Sequence, residues 1–140
     1  MPLEDFIITT YCYITDSYAE LVTKPLRTHG FETKLSDAEV ITMEIVGEFI
    51  GKDTDKGLWH YFHSHWHDWF PHIGSRANFA KQCANLVWIK ERILRRLADK
   101  MGAYDDSIHL IDGFPMPVCK NSRASRSRCF QGEAGYSYCA

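Results

Sequence analysis

Ser36-Asp37-Ala38-Glu39-Val40-Ile41-Thr42-Met43-Glu44-Ile45-Val46-Gly47-Glu48-Phe49 announces a helix by its first four residues. Ser36 and Glu39 form a capping box: the Ser36 hydroxyl accepts from the Glu39 amide, and the Glu39 carboxylate accepts from the Ser36 amide. Asp37 and Glu39 also sit at the positive end of the helix dipole. Ala38, Ile41, Ile45 and Phe49 recur at helical spacing and predict a single apolar stripe. Gly51 is the stop signal.

Working toward the N-terminus, residues from Leu3 to about Val22 also suit a helix. Phe6, Ile7, Tyr11, Ile14, Tyr18 and Leu21/Val22 recur at spacings of three and four. Pro25 and Gly30 punctuate the turn region between the two helices. Working toward the C-terminus, Asp53-Thr54-Asp55 caps a third helix carrying Leu58, Trp59, Phe62 and Trp66, and Pro71 and Gly74 end it. Ser75 caps a fourth, from Arg76 to about Met101, which would run ~39 Å as one straight rod. One face of it holds Phe79, Cys83, Leu86, Ile93, Leu97 and Met101, a core pattern. Another holds Lys81, Asn85, Trp88, Arg92 and Arg95/Arg96.

After Gly102 the texture changes. Ser107-Ile108-His109-Leu110-Ile111-Asp112 is short, β-branched and apolar on both faces, the pattern of a strand covered on two sides. Tyr136-Ser137-Tyr138-Cys139 alternates like a second strand. The predicted fold class is therefore mainly α followed by α/β. Residues 1–104 form a helical region and 105–140 the first strands of a further domain. Two strands alone are marginal in water, so that C-terminal part reads as the beginning of something larger.

A chain of 140 residues, 45% hydrophobic and 24% charged, has a globular composition. No run of about 18 apolar residues exists to span a membrane, and Glu4 and Asp5 stand where a secretion signal is basic. Cys12, Cys83, Cys119, Cys129 and Cys139 are odd in number and contain no C-x-x-C pair. A disulfide framework or zinc ribbon is not expected, and a reducing cytosol is the simplest home. Phosphate-loop, dinucleotide and serine-hydrolase glycine motifs are absent from the sequence.

The net charge of −2 hides an asymmetry. Residues 1–74 hold 5 Lys/Arg against 12 Asp/Glu; residues 75–140 hold 11 against 6. A basic half points to a polyanion partner, the alternative being a bipolar surface with no partner. The cations concentrate on the fourth helix and in Lys120-Asn121-Ser122-Arg123-Ala124-Ser125-Arg126-Ser127-Arg128, which contains no acid. Arg and Lys interleaved with Ser and Asn suit phosphate oxygens; the alternative is a solvated loop.

Asp112 is the strongest single candidate for chemistry. A carboxylate closing a buried strand is costly unless it meets a cation or a hydrogen-bond donor, although Asp112-Gly113 also fits an ordinary turn. Mg²⁺ takes one or two carboxylates plus waters and phosphates, and no partner acid for Asp112 is recognisable. His60, His63, His65, His67 and His72 crowd an aromatic segment. His60, His63 and His67 share helical spacings, so a metal-binding helical protein is one alternative. The other is surface imidazoles on an aromatic hairpin.

Several segments together resemble bacterial insertion-sequence transposases of the DDE superfamily, nearest to the insertion sequence 982 family. They are Leu35-Ser36-Asp37-Ala38-Glu39-Val40-Ile41-Thr42, the Trp59, Trp66, Trp69-Phe70-Pro71 block, Gly74-Ser75-Arg76 with Phe79, Ile108-His109-Leu110-Ile111-Asp112-Gly113-Phe114-Pro115-Met116-Pro117-Val118-Cys119, and Gly132 to Ala140. The resemblance implies a helical region that binds double-stranded transposon ends, then the first β-hairpin of an RNase H-like core. It implies that Asp112 is the first acid of an Asp-Asp-Glu triad and a ligand of Mg²⁺, which activates water and then a DNA 3′-hydroxyl for attack on phosphodiesters. The DNA contacts expected are Lys81, Arg92, Arg95, Arg96, Lys120, Arg123, Arg126 and Arg128. A homo-oligomer is a further expectation; a membrane or small-molecule partner is not. The resemblance places the second Asp and the Glu beyond residue 140, so the expectation is a truncated transposase that neither cuts nor joins DNA alone. The competing expectation is a non-catalytic DNA-binding module.

Overall fold

A computed structural model describes residues 1–24, 26, 33–105, 107–108 and 125–126. The chain divides into two units, Met1–Asp105 and Asp106–Ala140. The described residues form five helices: α1 (Leu3–Leu21), α2 (Asp37–Phe49), α3 (Asp55–His65), α4 (Arg76–Asn85) and α5 (Val87–Lys100). Pro25 and Gly30, read as turn residues, lie outside the described residues.

The helix starts follow the side chains that cap them. Ser36 Oγ accepts from the Glu39 amide at 3.2 Å, and the Ser36 amide donates to Glu39 Oε2 at 2.6 Å, so both halves of the capping box are made. Thr54 Oγ1 accepts from the Gly57 amide and Ser75 Oγ from the Asn78 amide, opening α3 and α4. A side-chain oxygen at these positions satisfies a backbone donor that the helix itself leaves free. Gly51 has φ +72°, a left-handed turn beyond α2 that a side chain would strain.

α2 is the central helix. It packs against α1, α3 and α4, while α5 packs against α1 and α4. Ile7 and Ile14 of α1, Val40, Ile41, Met43 and Val46 of α2, Leu58 and Phe62 of α3, and Phe79 and Cys83 of α4 share one core with Leu86, Ile89 and Ile93. Phe70 closes it after α3, edge-on to Phe62 with centroids 5.2 Å apart. Gly47 is small for a reason: a Cβ there would collide with the Leu58 side chain of α3.

Three local expectations are corrected. The stripe on α2 is rotated: Ala38 and Ile41 are buried, but Ile45 and Phe49 are exposed, and Val40, Met43 and Val46 take their place. Neighbours on three sides bury more of α2 than one face, so a one-stripe pattern misidentifies the inward residues. Tyr11 of α1 is likewise exposed, whereas Ser17 is buried at the helix contact. The long fourth helix is two helices. At Leu86 (φ −96°, ψ 2°) the chain tightens into a turn in which the Leu86 amide donates to Cys83 O. The break lets Phe79 and Cys83 before it, and Leu86, Ile89 and Ile93 after it, all face the core; Met101, expected inside, is exposed.

The larger correction concerns fold class. The second part was expected to be α/β, opening an RNase H-like hairpin, but the described residues are helical and contain no strand. Ile108, which the first strand would bury between two layers, is 77% exposed. A strand apolar on both faces forms only where both are covered, and Ile108 lacks that cover. His109 to Asp112 and Tyr136 to Cys139, the remainder of the two expected strands, lie outside the described residues.

Buried polar groups tie the helices together. Gln82 Nε2 of α4 donates to Asp37 Oδ1 at 2.7 Å and to Leu35 O at 3.0 Å, and the Tyr18 hydroxyl of α1 donates to Asp37 Oδ2 at 2.7 Å. Asp37 thus joins three helices at the N-terminus of α2. Lys90 Nζ of α5 lies 2.7 Å from Glu44 Oε1 of α2 and 3.3 Å from Cys83 O. Burial pushes the Glu44 carboxyl above its ordinary range, against the opposing pull of Lys90. Burial, reinforced by the Glu44 charge, pushes the Cys83 thiol up to about 12. Cys83 is therefore a neutral core side chain at physiological pH rather than a nucleophile.

Candidate nucleic-acid interface

α4 and α5 together, Arg76 to Lys100, carry seven Lys/Arg and two Asp/Glu; α1 and α2 carry eight Asp/Glu and no Lys/Arg. The basic helices divide their cations by helical position. Lys90 turns inward to Glu44, Arg96 pairs with Glu20 of α1, and Lys100 Nζ lies 5.5 Å from the centroid of the Tyr13 ring. These three lie within about 120° of one another around α5, on the side that holds Ile89 and Ile93.

Trp88, Arg92 and Arg95, spaced four and three apart, share a different face. Trp88 is 76% exposed. Arg92 is exposed and makes no ion pair among the described residues. Arg95 is exposed and bonds Glu91 Oε1 one turn back at 2.6 Å. A surface ion pair of this kind is worth little against water and leaves the remaining guanidinium donors available. A large aromatic ring held in solvent beside two guanidinium groups offers both charge and a flat apolar surface.

The other residues expected at a DNA surface are distributed as follows. Lys81 is exposed on α4, and Arg126 is exposed in a short helical turn. Arg96 is half-buried by its pairing with Glu20. Asp112, Lys120, Arg123 and Arg128 lie outside the described residues. Helical spacing puts Trp88 with the arginines, and its exposure makes it part of that face.

His60, His63, His65, His67 and His72 are exposed, and three of them meet neighbouring rings. His63 stacks on Trp59 at 4.7 Å, His65 lies 5.0 Å from Tyr61, and His63 and His67 meet edge to face at 5.5 Å. Trp59 is fixed by its indole N–H, which donates to Gly74 O at 3.1 Å. Among the described residues, no three His, Cys, Asp or Glu side chains gather into a group that could hold a metal ion. The Mg²⁺ expectation rests on Asp112 alone and has no geometry among the described residues. No described helix is long and apolar enough to cross a membrane. No family model, no curated protein and no solved structure matches this chain.

Proposed function

We propose that this chain binds double-stranded DNA through the outer face of α5, as the DNA-binding part of a protein resembling insertion-sequence transposases. The observation that carries the reading is the exposed Trp88 followed at helical spacing by Arg92 and Arg95. Guanidinium groups neutralise phosphates and release counterions, and they match phosphate oxygens with two parallel donors. Trp88 supplies a planar surface for a sugar or base edge, an interaction that adds affinity without adding charge. Lys81 and Arg126 extend the same chemistry elsewhere on the surface. Arg96 serves the fold through Glu20 instead. The sequence resemblance adds the transposon end as the target and Asp112 as an acid for Mg²⁺; no catalytic step is assigned to the described residues. The cytosol is the proposed compartment, in keeping with free Cys12 and Cys83.

The test is binding of a labelled duplex by fluorescence anisotropy across a salt series. Affinity falls as salt rises, and the double substitution Arg92→Ala, Arg95→Ala flattens the log–log slope by about 2, one for each phosphate that is no longer neutralised. Trp88→Ala weakens binding with the slope unchanged. Binding that ignores salt, or that the arginine pair does not alter, would overturn the proposal.

A further inference from the structure

α5 has a third face that neither the core nor the basic surface uses. Val87, Leu94 and Met101 recur every seven residues, with Leu97 beside them. They are far from buried: Val87 is 54%, Leu94 64% and Met101 75% exposed, and Leu97 is exposed too. Leu94, at the centre of this stripe, lies about 120° around the helix from Trp88, and the stripe is on the opposite side from Arg92. A seven-residue apolar repeat is the seam along which one helix packs against another.

We infer that this stripe docks a second copy of the chain, α5 against α5. Two features select that occupant. The first is area. The four side chains expose on the order of 400 Å². A standard interface takes about 800 Å² from each partner, of which a little over half is apolar, roughly 450 Å². The stripe therefore matches the apolar share of one protomer in a stable dimer. The second is symmetry. Leu94 stands seven residues from both Val87 and Met101, so a two-fold axis beside Leu94 lays the stripe on itself, as a self-complementary interface requires. The inference is independent of DNA binding, because the stripe and the Trp88 face share no residue.

Sedimentation of the full chain from about 1 to about 100 µM reads the equilibrium directly. The wild type passes from monomer to dimer, and Leu94→Glu weakens association at least about 10-fold, since it places a charge at the centre of the interface. Leu94 is outside the core, so far-UV circular dichroism is unchanged in the variant. A second readout is peroxide oxidation of Met101, followed by peptide mass spectrometry. Oxidation slows with rising protein concentration in the wild type and not in Leu94→Glu. A wild type that stays monomeric, a dimer indifferent to Leu94→Glu, or Met101 protected equally at every concentration in a monomer would each overturn the inference. Arg92→Ala, Arg95→Ala leaves the dimer intact, so a failure here is distinguishable from a failure of DNA binding.

Discussion

α2 and α5 are nearly the same length, 13 and 14 residues, and they do opposite things with their surfaces. α2 lies among α1, α3 and α4 and buries eight residues, including Asp37 and Thr42. The Thr42 hydroxyl donates back to Ala38 O at 2.8 Å, so even its polar group is satisfied inside the helix. α5 fully buries only Ile89 and Ile93 and presents two further faces to solvent. The enclosed helix has little surface left for a partner; the helix packed along one side has most of its surface left. Charge follows the same division. Glu44 of α2 and Glu20 of α1 draw Lys90 and Arg96 inward, so part of the chain's acidic–basic polarity is used between helices. Arg92 and Arg95 are left on the outside.

The largest expected effect tests that contrast by volume. Met43 on α2 is fully buried, and Leu94 on α5 is mostly exposed. Met43→Ala should cost about 2–5 kcal/mol, because truncation removes buried apolar surface and leaves a cavity. Leu94→Ala should stay within about 0.5 kcal/mol, as surface changes do. Urea unfolding of the two variants below the concentration at which the chain associates measures both. Similar destabilisation at the two positions would erase the distinction between enclosed and open helices.

A smaller effect sharpens the contrast through polar groups. Gln82→Ala removes the donor that bridges α4 to Asp37 and to the Leu35 carbonyl. A buried acceptor stripped of its donor costs about 1–3 kcal/mol, and thermal unfolding should register it. Arg95→Ala breaks a bond of similar length to Glu91 but on the open face. There the cost should fall below about 1 kcal/mol. Equal costs would mean that Asp37 and its partners are as well solvated as the surface of α5.

The legible parts of this fold were those that one residue decides locally. Ser36 with Glu39, Thr54 and Ser75 mark three helix starts because each cap is a bond over three residues. The inward face of α2 was not legible from periodicity, since a helix surrounded by three others buries Val40 and Met43 as well as Ile41. Nor was the break at Leu86, where neither proline nor glycine marks the turn and the need to bury Leu86 and Ile89 together decides it. The basic face of α5 was visible as a pattern, but helical spacing could not separate Arg96, turned toward Glu20, from Arg95, turned outward. Tyr18 and Gln82 carried no sequence signal of their link to Asp37, because that link spans three helices. The expected strand beginning at Ser107 failed at Ile108, where an apolar residue is left exposed.

The smallest effect concerns pH, and it probes the one place where the two helices meet through charge. Glu44 of α2 titrates above its ordinary range because burial disfavours the carboxylate more than Lys90 of α5 restores it. The folded state therefore holds the Glu44 proton more tightly than the unfolded chain does. Its contribution to stability is fully present below the unfolded value of 4.5 and is lost as pH rises through the raised folded value. Glu44→Gln cannot titrate anywhere between about pH 4 and about pH 7. The stability of the Gln variant relative to the wild type should accordingly rise across that interval, measured by unfolding both proteins at each pH so that the other carboxylates cancel. A relative stability that stays level would place Glu44 in a solvated setting, and α2 would then be no more enclosed at this point than α5. A relative stability that falls would mean that Lys90 outweighs burial, making the ion pair rather than the apolar surround the dominant link between α2 and α5.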